Sequence, residues 1–200
     1  MKVHEILEEQ ELNELNLRQA AAAGMIGLST LSGPAVAGQH APHASHQRTT
    51  VASPTMSKRK ELTDNIIHQH KIAPELARNI VNTAYKYAHP VFPTPEHILA
   101  VIGVESHFKP HATSGLASDP AIGLMQIRAD VWNINPERLL TVEDNIKFGS
   151  TILRRYYNRL HSVSKALQAY NLGITAVRHG ERRPSYVRRV HHELKQLTEK

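Results

Sequence analysis

The chain contains no cysteine. Disulfides, zinc–thiolate centres and thiol nucleophiles are therefore excluded, although the compartment is not decided by this alone. It also has no unbroken apolar run of the roughly eighteen residues that mark a membrane-spanning helix. Aromatic residues make up only 5% of its 200 positions, which leaves no interleaved aromatics for stacking on a nucleic-acid strand. No nucleic-acid-binding motif accompanies the basic residues, so no specific nucleic-acid partner is expected. There is no H-E-x-x-H zinc motif and no G-x-S-x-G nucleophile elbow for a serine such as Ser106. His107 and His111 are four apart, but Pro110 between them breaks any shared helix face. No metal or other cofactor is expected.

What the chain does have is positive charge in one half. The net charge is +6, with 24 Lys and Arg against 18 Asp and Glu. Residues 1–104 are balanced at nine of each sign, so the whole excess lies in residues 105–200. Arg178, Arg182, Arg183, Arg188 and Arg189 cluster near the end. Such a cluster is either a solvated helix surface or an attraction to polyanions, among which the bacterial wall qualifies through peptide carboxylates and associated phosphates.

The chain divides near residue 56. Residues 2–19 suggest a short amphipathic helix in which Val3, Ile6, Leu7, Leu12 and Leu15 alternate with five glutamates. A small-residue apolar stretch follows, ending in Ala35-Val36-Ala37, which has the form of a signal-peptide cleavage site. The acidic region ahead of it opposes that reading, because a positive segment is the rule there; a segment that docks on a membrane surface or a protein partner is the alternative. Some bacteriophage structural and lysis-related proteins open with a similar short helix and small-residue stretch. Gly38 to Met56 reads as a disordered linker, and its His40, His43 and His46 as incidental. From Ser57 onward the periodicity is helical, and no stretch alternates as a strand does. The fold class expected for residues 57–200 is mainly α.

One helix carries an unusual residue. Thr94 is a good N-cap and Pro95 suits the first helical position. Ile98, Val101, Ile102 and Glu105 then follow the spacing of one helix face. A carboxylate ending an apolar stripe is desolvated and lies near the negative end of the helix dipole, and both effects favour its protonated form. A carboxylic acid that keeps its proton near neutral pH is what glycosidic cleavage requires, since the leaving oxygen must be protonated. A solvated carboxylate at a frayed helix end is the other reading of this feature alone.

Downstream stand Ser114, then Gly123-Leu124-Met125-Gln126, then Ala169-Tyr170-Asn171-Leu172-Gly173. In this order after Glu105-Ser106, the segment from Ile98 to Val190 resembles the catalytic domain of soluble lytic transglycosylases and, more distantly, goose-type lysozymes. The resemblance implies a lysozyme-like helical fold and a single catalytic acid/base at Glu105. It implies a sugar-cleft floor at Gly123, Leu124, Met125 and Gln126, with Gln126 in polar contact with N-acetyl sugars. It implies that the Tyr170 hydroxyl points at the catalytic carboxylate, with Asn171 beside it, and that Ser106 and Ser114 contribute to substrate binding. Two departures stand before Gly123: Pro120 changes the loop, and Asp119 adds a carboxylate that many transglycosylases lack.

The activity so implied is cleavage of the β-1,4 bond between N-acetylmuramic acid and N-acetylglucosamine in peptidoglycan glycan strands, with formation of 1,6-anhydromuramic acid. It would be exercised outside the cytoplasm at the bacterial cell wall, in the periplasm or on a virion. Goose-type hydrolysis is the alternative, with Asp119 as the second carboxylate. A catalytically inactive wall-binding or virion structural module is a further alternative, which intact Glu105, Gln126 and Tyr170 oppose.

Overall fold

The computed structural model describes residues 54–199, apart from residues 117 and 118. The acidic helix, the cleavage-site triplet and the histidine-bearing linker expected before residue 54 lie outside the described residues, as does Ser118.

The described chain is mainly α. It runs α1 (Pro54–His70), α2 (Pro74–Tyr87) and α3 (Pro95–Ser106), then strands β1 (Thr113–Leu116), β2 (Asp119–Ile122) and β3 (Ile127–Arg128). There follow α4 (Ala129–Trp132), a 3-10 turn (Pro136–Leu140), α5 (Val142–Leu160), α6 (Val163–Leu172), α7 (Ile174–Arg178) and α8 (Pro184–Thr198). Helix α1 begins at Pro54, ahead of Ser57, from which the periodicity reads as helical.

The helix boundaries follow from local chemistry. Thr94 accepts a hydrogen bond from the His97 N–H and starts α3 ahead of Pro95. At its other end His107 adopts a left-handed conformation and returns its N–H to the Gly103 carbonyl at 3.1 Å. Thr141 accepts from the Asp144 N–H and opens α5. A reciprocal capping box is not completed, because the Asp144 carboxylate takes two hydrogen bonds from Arg138, at 2.8 and 3.2 Å. Gly173, at φ +88°, ends α6 in a conformation that glycine takes without a Cβ penalty.

The core forms where α3 lies against α8, α2 against α1, α3 and α5, and α6 against α5 and α8. Leu62, Ile66, Ile80, Ile98, Leu99, Ile102, Phe108 and Phe148 are among its enclosed side chains. Each such side chain contributes about 1.5–3 kcal/mol on burial. Helix α3 is buried on nearly every side, from Ile98 through Gly103 and again at Ser106. Its apolar residues therefore do not form the single stripe read from the sequence.

The sheet corrects the expectation of no strands. Its antiparallel order is β1-β2-β3, with Thr113 opposite Ile122 and Ala121 opposite Arg128. At four, four and two residues, the strands are too short for period-two alternation to show. The Asp119-Pro120 pair, expected as a loop, opens β2 instead, with Asp119 opposite Leu116.

Candidate active site

Glu105 lies one residue before the end of α3, partly buried against α8. The Tyr186 hydroxyl, from the first turn of α8, donates to Glu105 Oε1 at 2.6 Å. Burial pushes the Glu105 carboxyl above its ordinary range, while the Tyr186 hydrogen bond and the positive charge of Arg189 pull the other way. The Arg189 guanidinium lies over the Tyr186 ring, 5.6 Å from its centre. Burial, and then the Glu105 charge, hold the Tyr186 phenol well above its usual range, so it remains a donor. Burial thus favours the protonated acid, and Tyr186 and Arg189 favour the anion.

The hydroxyl bound to this carboxylate belongs to Tyr186 rather than to Tyr170. Tyr170 donates instead to the Met125 carbonyl at 2.8 Å. It still senses the acid: after burial, the Glu105 charge is the next cause of its strongly raised phenol pKa. The sequence places Tyr186 on an apolar helix face among Val190, Leu194 and Leu197, where a core tyrosine is the ordinary reading. Its position opposite Glu105 depends on how α8 packs, and no local pattern carries it.

The Gly123–Gln126 segment is a tight turn beneath this pair. The Gly123 N–H donates to the Ala112 carbonyl at 2.8 Å, and the Gln126 N–H returns to the Gly123 carbonyl at 3.2 Å. Gly123 has φ +79°, and a Cβ there would overlap the Asn145 amide and the Leu139 carbonyl, so no other residue fits. Asn145, 1% exposed on α5, clamps the turn from below. Its Oδ1 accepts from the Met125 N–H at 2.8 Å, and its Nδ2 donates to the Ile122 and Leu139 carbonyls at 3.0 and 2.7 Å. Met125 seats its sulfur against Gly149, where a Cβ would collide with it. A signal for Asn145 exists in the sequence: it shares a helix face with Gly149, Ile152 and Tyr156, and a polar residue on an apolar face needs partners.

The remaining expected site residues divide by exposure. Leu124 and Met125 are fully enclosed and lie under the cleft as its support, out of reach of a sugar. Gln126 has its Nε2 engaged by the Ala112 and Gly123 carbonyls at 3.0 and 2.9 Å, and its Oε1 accepts from the exposed Ser114 hydroxyl. Its amide therefore fastens β1 to the turn before anything binds. Ser106 departs from the substrate-binding expectation: it is 4% exposed and donates back to the Ile102 carbonyl, the usual alternative for a helical serine.

A cavity of about 140 Å³ opens beside Tyr170 and is lined by Gln126, Arg128, Trp132, Tyr156, Asn171 and Gly173 among others. It brings the expected Gln126, Tyr170 and Asn171 together. It adds Trp132 and Tyr156, whose ring centres are 6.0 Å apart. Tyr170, a lining residue of this hollow, senses the charge of Glu105. On its other flank, Val104 and Arg189 belong to a second hollow between α3 and α8.

Residues 83–189 match the family described as Transglycosylase SLT domain. The matched span runs from the last turn of α2 into α8 and contains Glu105, the Gly123–Gln126 turn, Tyr170, Tyr186 and Arg189. No curated protein sequence matches the chain. With more than half its length inside that match, and with the partly buried Glu105 of α3 inside it too, the chain belongs to the SLT transglycosylase family of lysozyme-like domains that act on peptidoglycan.

Proposed function

We propose that this protein is a peptidoglycan lytic transglycosylase in which Glu105 is the single acid/base, and that it cleaves the β-1,4 bond between N-acetylmuramic acid and N-acetylglucosamine. The observation that carries the reading is the partly buried Glu105 held by the Tyr186 hydroxyl. Because Tyr186 donates to Oε1, Oε2 is the oxygen left to carry the transferable proton in this reading. Glu105 gives this proton to the glycosidic oxygen as the bond to the muramic C1 breaks. The positive charge left on the sugar is stabilised by the substrate's own N-acetyl group. The newly formed carboxylate is stabilised by Tyr186 and Arg189, which act more strongly on the anion than on the acid and so favour the transition state. Glu105 then removes the proton of the muramic C6 hydroxyl, whose oxygen closes on C1 to give the 1,6-anhydro ring. The acid returns to its starting form, with no water consumed and no cofactor required.

The catalytic unit in this reading comprises residues 57–200 and acts at the cell wall, with residues 1–56 preceding it. Helix α1 belongs to the unit because Asn65 and Gln69 donate to the Leu197 and Gln196 carbonyls of α8, at 2.8 and 2.7 Å.

Digestion of purified peptidoglycan is expected to yield 1,6-anhydromuramic ends, detected by mass spectrometry. Reducing ends that take up oxygen from labelled water, together with a large rate loss in Asp119→Asn, would reassign the protein as a hydrolytic lysozyme.

A second expected result concerns Tyr186. Tyr186→Phe removes a hydrogen bond that favours the ionised form of Glu105, so the carboxyl pKa rises further. The alkaline limb of kcat/KM, which follows loss of the Glu105 proton, should move to higher pH. Turnover should fall by about 10–100-fold as the developing anion loses a donor. A limb that stays in place, or moves down, would show that the Tyr186 contact is not made in the active enzyme.

A further inference from the structure

The hollow between α3 and α8 has a volume of about 500 Å³, within the range of ligand-binding clefts. Gly103, Val104 and His107 form one wall, and Arg188, Arg189 and His192 form the other. Arg188 is exposed and makes no hydrogen bond or ion pair among the described residues. Glu193 also lines the hollow, but its Oε1 lies 2.7 Å from His70 Nε2, with both side chains only 13% and 11% exposed. That carboxylate is turned toward α1 and engaged there. The open face of the hollow is therefore basic, and one of its rims, through Arg189, acts directly on the Glu105 carboxylate.

The chemistry of the substrate selects the occupant. The muramic ring cleaved at C1 carries a peptide on its neighbouring lactyl ether, so the peptide must leave the cleft within about one sugar ring of Glu105. That peptide bears free carboxylates. Resting on the transglycosylase reading above, we propose that the α3–α8 hollow receives the peptide stem of the muramic residue at the cleaved bond, with a stem carboxylate held by Arg188 and Arg189. Arginine suits this role because its planar donors match a carboxylate's two oxygens. Val104 supplies an apolar wall for the stem's side chains, and His107 and His192 supply further donors.

The test compares full-length protein on glycan strands that carry peptide stems and on strands stripped of them by an amidase. Wild type should prefer the stem-bearing strands. Arg188→Gln should lower the ratio of the two rates roughly three- to tenfold, the change expected for one partly exposed charge-assisted hydrogen bond. The loss should lie in KM, and Arg188→Lys should restore part of it. In parallel, Glu105→Gln protein is titrated with a soluble disaccharide tetrapeptide and with its amidated form. Weaker binding of the amidated form, and loss of that difference on adding Arg188→Gln, is expected. An unchanged rate ratio in Arg188→Gln, or equal loss on both strands, would overturn the proposal. Preference of wild type for sacculi that retain their phosphate polymers, abolished in Arg188→Gln, would overturn it in favour of a phosphate site. If wild type cleaves neither strand while the muropeptide binds in an Arg188-dependent way, the catalytic reading fails and the stem site stands.

Discussion

Glu105→Gln is expected to reduce cleavage of purified sacculi by at least about 10²–10⁴-fold, the typical contribution of a positioned general acid, while the fold persists. Glutamine has the same shape, and its amide oxygen can still accept from Tyr186, so only the transferable proton is lost. The effect on stability has a definite direction. Burial raises the folded-state pKa of Glu105 above its unfolded value. The stability associated with this group is therefore fully present below the ordinary carboxyl range and is lost as pH rises through the raised folded pKa. As pH rises from the ordinary carboxyl range through the raised folded pKa, the wild type takes on this cost and the glutamine variant does not. The variant should then unfold at an equal or higher temperature than wild type, and the advantage should vanish in acid. Thermal unfolding across pH, beside muropeptide release, checks both halves. Turnover comparable to wild type by the folded variant would remove Glu105 from the mechanism.

Asn145→Ala is expected to be the most damaging single change outside the reacting groups. The wild-type amide satisfies three backbone groups: the Met125 N–H and the Ile122 and Leu139 carbonyls. With Asn145 only 1% exposed, water has no ready access to replace them. Leaving a buried polar group unpaired costs about 1–3 kcal/mol. Three such groups, partly relaxed, put the loss at about 3–5 kcal/mol, a large share of the roughly 5–15 kcal/mol that holds a domain together. Activity should fall with it, because the displaced Met125 carbonyl is the partner of the Tyr170 hydroxyl. Asn145→Asp should fare little better: its acceptor can serve Met125, but a carboxylate would face two carbonyl oxygens. Urea unfolding gives the stability change. A loss below about 1 kcal/mol for Asn145→Ala would mean that the turn holds itself without the clamp.

Much of the helical framework was legible in the chain because helix starts and stops depend on neighbours three or four positions away. Thr94 with Pro95, Thr141 with Asp144, and Gly173 each act within one turn, and each marks a helix boundary. The order Glu105-Ser106, Gly123 to Gln126 and Ala169 to Gly173 likewise pointed to the transglycosylase family from the sequence alone, and the match over residues 83–189 agrees. The three strands were not legible, because two to four residues hold no readable period and their pairing is decided by contact with each other.

The surroundings of the acid belong to the tertiary structure. Tyr186 lies 81 positions from Glu105, and nothing near either residue announces their hydrogen bond. The packing of α8 on α3 creates it, and the same packing carries Arg189 to the carboxylate. Side-chain direction within α3 was decided in the same way. Ser106 follows Glu105 in sequence, yet the helix turns it about 100° further round and into the core, while Glu105 meets α8. The sequence by itself determined that a carboxylate ends the apolar run of α3, and which helix carries it. Only the folded chain decided which hydroxyl holds that acid, which cation faces it and which neighbouring side chains remain open to a ligand, because these follow from contacts between segments far apart in the chain.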